Sequence, residues 1–170
     1  KYVPGSSDAA PLAEDSSQKI QLALLLDTSN SMDGLIEQAK SRLWNIVNLL
    51  TTLKYEGKSP QLEIALYEYG NDGLSAEGNF IRMVTPFTSD LDLLSEKLFS
   101  LKTNGGSEYC GAVIEKATSE LLWKDGKDKM KLVYIAGNEP FNQGPIHFKE
   151  ALSKSLKKDI YVNTILCGGQ

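Results

Sequence analysis

Hydrophobic positions along the chain follow two periods, which alternate from one segment to the next. Residues 20–26 are apolar except for Gln21, which predicts a strand buried on both faces of a parallel sheet. From Leu35 to Leu50, apolar residues recur at the spacing of a long amphipathic helix. The same change of period recurs further along the chain, as expected for an α/β protein.

Four further strands and three further helices complete this pattern. Strands are predicted at residues 62–69, 80–87, 131–136 and 160–166, and helices around residues 91–98, 113–121 and 148–156. The Gly- and Asn-rich loop between the second and third strands is short, which predicts a hairpin and therefore one antiparallel edge strand.

Strands that alternate with helices in this way predict a doubly wound, Rossmann-like α/β fold. Its central sheet is mostly parallel, with one antiparallel edge strand and helices on both faces. Ligands of such folds bind beyond the carboxyl ends of the strands. Asp27, residues 104–107 and residues 137–141 stand at junctions that can share this edge.

Composition limits the classes of partner and the domain organisation. The chain has 18 Lys and Arg against 22 Asp and Glu residues and no basic block, which argues against nucleic acid as a partner. It has no apolar run of transmembrane length, so we expect no direct membrane insertion. Residues 1–17 are rich in small, acidic and Pro residues and predict a flexible leader before a single domain over residues 18–170.

One motif carries candidate chemistry. In the turn after the first strand, Asp27, Ser29 and Ser31 place a carboxylate and two hydroxyls at alternate positions. These hard oxygen ligands suit Mg²⁺, Ca²⁺ or Mn²⁺ rather than zinc or copper. Because two of the three are neutral, the metal would keep enough positive charge to accept an anionic oxygen from outside. The alternative is that the three side chains cap a helix beginning near Asp33.

This motif and two later segments resemble a known family. Residues 27–32 (DTSNSM) resemble the D-x-S-x-S signature of the metal-ion-dependent adhesion site in von Willebrand factor A and integrin inserted domains. Residues 104–107 (NGGS), followed by GAV at 111–113, resemble the second metal loop of that family, which gives Ser107 the role of the next ligand. Residues 31–50, 105–111 and 135–140 are similar to a bacterial subgroup of these proteins.

The resemblance implies a location as well as a ligand set. Bacterial relatives of this subgroup are typically cell-envelope or exported proteins. We therefore expect an extracytoplasmic protein, whether periplasmic, anchored in the envelope or secreted, with a signal or anchor segment removed.

The chain departs from the family at the end of the fourth strand. The family sequence there is usually Thr-Asp-Gly, with the Asp holding the metal, whereas this chain has Ala136, Gly137 and Asn138. Glu139 could support the metal from two positions further on, or could be a solvated loop residue. Glu108 and Asp33 could each contribute negative charge to the site. Alternatively, each could simply stabilise a helix N-terminus. Loss of the Asp is expected to weaken cation affinity.

Two further features stay open at this point. The family fold normally continues past the fifth strand into a helix, a strand and a closing helix, so the domain is either cut short or lacks them. Cys110 and Cys167 could form a disulfide or remain separate core thiols, and their predicted position near one edge slightly favours the disulfide.

The sequence therefore predicts a non-enzymatic protein-binding module that depends on a divalent cation. Mg²⁺ is the preferred ion, with Ca²⁺ or Mn²⁺ as alternatives, and an acidic residue of a partner protein completes its ligands. A metal-independent structural or interaction module with a degraded site is the first alternative. A divalent-metal hydrolase is the second, although no nucleophile or acid–base set is evident. The oligomeric state is left open.

Overall fold

A computed structural model describes residues 18–54, 56–138 and 143–168. The predicted leader (residues 1–17) and Glu139 lie outside the described residues. The strands are β1 (Lys19–Asp27), β2 (Gln61–Tyr69), β3 (Ile81–Thr88), β4 (Lys129–Gly137) and β5 (Ile160–Leu166), and the helices are α1 (Ile36–Thr52), α2 (Leu91–Ser100), α3 (Cys110–Glu120) and α4 (Phe148–Lys157). Within these ranges, no helix is both long and apolar enough to cross a membrane.

The described strands form one sheet in the order β3-β2-β1-β4-β5. β1 pairs in parallel with β2 and β4, and β4 pairs in parallel with β5. β3 lies at one edge and runs antiparallel to β2. The predicted mostly parallel sheet with one antiparallel edge strand is therefore confirmed, and the most continuously apolar segment, β1, occupies its centre.

Each face of the sheet carries its own hydrophobic core, as successive strand residues point to opposite faces. Ala23 and Leu25 of β1 pack in the core that α3 and α4 cover. Leu22, Leu24 and Leu26 pack in the core that α1 and α2 cover. The helices on both faces confirm the doubly wound arrangement. They also explain why residues 22–26 of β1 are all apolar.

The two cysteines lie in different cores. Cys110 belongs to the core under α3 and α4, whereas Cys167 belongs to the core under α1 and α2, so the sheet separates them. Both are buried free thiols. The slight preference for a disulfide was therefore wrong. Position near a common edge does not indicate which face a side chain occupies.

β4 begins at Lys129, two residues before its predicted start. Lys129 and Met130 pair with Lys19 and Ile20 of β1, so the parallel ladder extends the strand beyond its apolar segment. β5 has the predicted bounds, Ile160–Leu166.

Gly111 provides a test of how closely α3 packs on the segment that precedes α4. A Cβ added at Gly111 would overlap the backbone carbonyl of Ile146. In an exposed helix, Gly→Ala stabilises by up to about 1 kcal/mol. For Gly111→Ala we expect the opposite, a decrease of about 1–3 kcal/mol in the free energy of unfolding. The backbone of α3 and the backbone at Ile146 must move apart to make room for the added Cβ. Urea unfolding followed by circular dichroism measures the difference.

The matched control is Gly78→Ala, where an added Cβ meets no atom within 4 Å. This variant should change stability by less than about 0.5 kcal/mol. Equal stability of Gly111→Ala and the unchanged protein would contradict the close packing of α3.

Candidate metal centre

The carboxyl ends of three neighbouring strands meet at one edge of the sheet. Asp27, the last residue of β1, pairs with Tyr69, the last residue of β2. On the other side of β1, Leu26 pairs with Ala136, the residue before the end of β4. The sheet register therefore brings the D-x-S-x-S segment together with Gly70 and Gly137. The sequence predicted that Asp27 and Gly137 share this edge, but did not include Gly70.

Asp27 is a buried carboxylate with one oxygen left over. Its side chain is 1% exposed. Oδ1 accepts a hydrogen bond from the Ser29 N–H at 2.8 Å, whereas Oδ2 has no partner among the described residues. Burial raises the pKa of Asp27 from 3.8 to about 6, with a smaller contribution from the Glu108 charge, and this outweighs the lowering by hydrogen bonds from Ser29 and the Asn138 backbone. These bonds therefore compensate ionised Asp27 only in part for its lost hydration.

Ser29 and Ser31 lie beside this carboxylate, with their hydroxyl oxygens 2.8 Å apart. Ser29 is fully buried, whereas Ser31 is exposed, so the group opens to solvent on the Ser31 side. Neither serine caps a helix. The side chain of Ser29 makes no cap to the short 3₁₀ turn Asn30–Met32, and α1 begins at Ile36 without a side-chain cap. The structure thus does not support the capping interpretation of this motif.

The backbone of the D-x-S-x-S segment is fixed from two sides. The Thr28 N–H donates to the Tyr69 carbonyl at 2.9 Å. The Asn104 N–H donates to the Thr28 carbonyl at 2.8 Å, and the Asn30 N–H donates to the Gly105 carbonyl at 2.6 Å. These bonds hold the first and second predicted metal loops against each other before any ligand binds.

The second loop brings Glu108 to the serine pair. Glu108 is 3% exposed, and its Oε1 accepts a hydrogen bond from Ser31 Oγ at 2.8 Å. Its Oε2 has no partner among the described residues. Ser107 is half-buried, and its backbone N–H donates to Asp72 Oδ1 at 3.2 Å. A ligand role for Ser107 stays a prediction.

At the end of β4, a side chain at position 137 is excluded by its neighbours. A Cβ added at Gly137 would lie 2.6 Å from the Tyr69 hydroxyl and 3.3 Å from Asp27 Oδ2. Asn138 reaches the site instead. Its Oδ1 accepts from Ser31 Oγ at 3.0 Å, and its Nδ2 donates to the Ser31 carbonyl at 2.8 Å.

Gly70 allows Asp27 and Glu108 to approach each other. Its φ is +78°, and an added Cβ would lie 2.9 Å from Asp27 Oδ1 and 3.1 Å from Glu108 Cγ. Sequence reasoning did not single out Gly70 or Asn138 as site residues. The available signal for Gly70 was its place directly after β2, at the same edge of the sheet.

The group contains more acceptors than donors. The single proton of Ser31 Oγ cannot serve both Glu108 Oε1 and Asn138 Oδ1, and Asp27 Oδ2 and Glu108 Oε2 have no hydrogen-bond partner among the residues that the structure describes. No cluster of three or more His, Cys, Asp or Glu side chains with metal-binding geometry occurs within the described ranges. The candidate metal-binding atoms here are the oxygens of two carboxylates, two hydroxyls and an amide, a set that fits a hard divalent cation.

No protein-family model and no curated protein matches the sequence. Among solved structures, two structures of proximal thread matrix protein 1 from the mussel byssus are similar. Their TM-scores are 0.68 and 0.64, at 14% and 12% sequence identity. In both, the match covers 87% of this chain but only 38% of the mussel chain. The first is described as having a zinc-occupied MIDAS motif, where MIDAS denotes the metal-ion-dependent adhesion site.

At this level of identity, the likeness establishes the fold alone. It agrees with the five-stranded order β3-β2-β1-β4-β5, the antiparallel edge strand and the helices on both faces. The chain therefore has the von Willebrand factor A-like fold that its motifs predict.

Proposed function

We propose that this chain is a protein-binding module whose cation, held by Asp27, Ser29 and Ser31, takes a carboxylate from a partner protein. The observation that carries the proposal is the buried Asp27 Oδ2, which has no hydrogen-bond partner among the described residues, while Oδ1 of the same carboxylate accepts from the N–H of Ser29, a member of the serine pair. A buried carboxylate oxygen normally has a hydrogen-bond donor or a cation. Ser31 is exposed, which leaves a path for a partner.

The donor set favours Mg²⁺, with Ca²⁺ and Mn²⁺ as alternatives, because all the candidate ligand atoms are oxygens. Zinc occupancy in the mussel protein supports a divalent cation at this place in the fold. When bound, the cation supplies a positively charged position at which a partner's Asp or Glu can replace solvent. We further propose that Ser107 joins the ligands by rotation of its hydroxyl, and that Glu139 is an additional candidate.

The chemistry of the remaining side chains supports a binding role rather than catalysis. Burial raises the pKa of the Cys110 thiol to about 12, so the nucleophilic thiolate is suppressed. His147, the only histidine, caps α4, and its Nδ1 accepts the Lys149 N–H at 3.2 Å. The proposed setting is extracytoplasmic, and the likeness to a byssal matrix protein supports it.

Asp27→Asn tests the site directly. We expect the unchanged protein to bind one Mg²⁺ or Mn²⁺ per chain, and the variant to lose at least 10- to 100-fold in affinity, since even residues behind a ligand contribute that much. Isothermal titration calorimetry measures both. Asp33→Asn is the matched control, because Asp33 is an exposed neighbour whose carboxylate accepts from the Thr103 hydroxyl. Equal metal binding by Asp27→Asn and the unchanged protein would remove the site.

The raised pKa of Asp27 predicts a pH-dependent stability difference in EDTA. The folded-state pKa of about 6 lies above the ordinary 3.8, so ionisation costs stability as pH rises between these values. The free energy of unfolding of Asp27→Asn, relative to that of the unchanged protein, should rise by about 2–3 kcal/mol from pH 4 to pH 8. Urea unfolding at both pH values measures the gain. A difference that does not vary with pH would contradict the assigned burial cost.

The partner chemistry can be tested with a displayed library of random peptides, selected on the immobilised chain in Mg²⁺. We expect selected peptides to carry one essential Asp or Glu, to dissociate in EDTA and to ignore the Asp27→Asn chain. Peptides that bind equally well in EDTA would instead indicate a metal-independent interaction module. Mg²⁺-dependent turnover of phosphoesters, absent in Asp27→Asn, would indicate a hydrolase.

A further inference from the structure

The end of β4 cannot supply the third-loop carboxylate of this fold. The Tyr69 hydroxyl occupies the position where a side chain at residue 137 would begin. Tyr69 is itself fully buried. Gly137 is therefore a packing requirement of this chain. Any second carboxylate must come from another position in the chain.

Glu108 reaches the same group of oxygens from the second loop. Its Oε1 lies 2.8 Å from Ser31 Oγ, and Ser31 Oγ lies 2.8 Å from Ser29 Oγ. Gly70 removes the side chain that would otherwise separate Glu108 from Asp27. Three loops thus place two carboxylates around one serine pair.

Burial makes Glu108 unusual for an acidic residue just before a helix. It is 3% exposed, and Oε2 has no hydrogen-bond partner among the described residues. Among the residues that the structure describes, neither Glu108 nor Asp27 forms an ion pair with a lysine or arginine. A helix N-terminal charge would normally remain in water, where it needs no partner. Two buried, like-charged carboxylates without a positive partner are stabilised either by a shared proton or by a cation between them, and a divalent cation satisfies both when they are ionised.

We infer that Glu108 is a ligand of the cation and takes the place of the missing carboxylate at the end of β4. This inference rests on the proposed metal site. The site would then hold two carboxylates, Asp27 and Glu108. The absence of a carboxylate at position 137 would therefore not lower the metal affinity in the way that the sequence alone suggested. Asn138 has a different task, because its amide holds Ser31 through both the hydroxyl and the backbone carbonyl.

Mn²⁺ and Mg²⁺ titrations of the 170-residue chain compare Glu108→Gln with Asp27→Asn and the control Asp33→Asn. We expect Glu108→Gln to weaken binding at least 10- to 100-fold. Asp33→Asn should change it by less than about fivefold, because an exposed charge acts weakly at a distance. Thermal melting in EDTA verifies that each variant folds, and Glu108→Gln should melt no lower than the unchanged protein.

The outcomes separate this inference from the proposed function. Loss of affinity in Asp27→Asn alone, with Glu108→Gln unchanged, would overturn the role of Glu108 and leave the metal site standing. Full metal binding by both variants would overturn both claims. A similar loss in Glu108→Gln and Asp33→Asn would show a general charge effect and overturn a ligand role.

A second measurement needs no variant of Glu108. With ¹³C-labelled glutamate and each side-chain carboxyl resonance assigned through the backbone, Mg²⁺ should shift the carboxyl resonance of Glu108 in the unchanged chain, and not in Asp27→Asn. The absence of a shift at saturating Mg²⁺ would overturn the inference even if Glu108→Gln does not fold.

Discussion

The arrangement of this edge of the sheet depends on the burial of two carboxylates next to each other. Asp27 ends the central strand, and Glu108 approaches it from the loop before α3. Burial of an ionised carboxylate with too few donors costs several kcal/mol, and like charges add to that cost. The raised pKa of Asp27 expresses this cost. The cation that we propose would offset it, so the residues whose burial is costly would be the ones that provide the affinity for metal.

Packing around the carboxylates leaves little freedom in how they are held. Gly70 gives Asp27 and Glu108 room to approach, and Gly137 gives room to the Tyr69 hydroxyl. Backbone hydrogen bonds tie Thr28 to β2 and to the second loop. The fold therefore already holds the proposed cation ligands close together, and metal binding would need little reorganisation of the main chain. The exposed Ser31 is the side of the site at which a partner carboxylate can enter.

The sequence allowed the fold and the first loop to be predicted, because a parallel strand buried on both faces has an unmistakable apolar pattern. The D-x-S-x-S motif follows directly from β1, so its position at the sheet edge required only the strand assignment. Glu108 was harder to assign, since its hydrogen bond with Ser31 joins residues that are 77 positions apart in the chain. The cysteines were misjudged for a related reason. A predicted edge does not specify the face of the sheet, and Cys110 and Cys167 lie on opposite faces.

The central claim is that one divalent cation lies between Asp27, the serine pair and Glu108. The most direct measurement is a crystal structure of the chain with Mn²⁺, with the ion located by its anomalous scattering. We predict a single strong peak within about 2.0–2.6 Å of oxygens from Asp27, Ser29, Ser31 and Glu108, the range for hard cations and oxygen ligands. A peak elsewhere on the surface, or this site without an ion at saturating Mn²⁺, would contradict it.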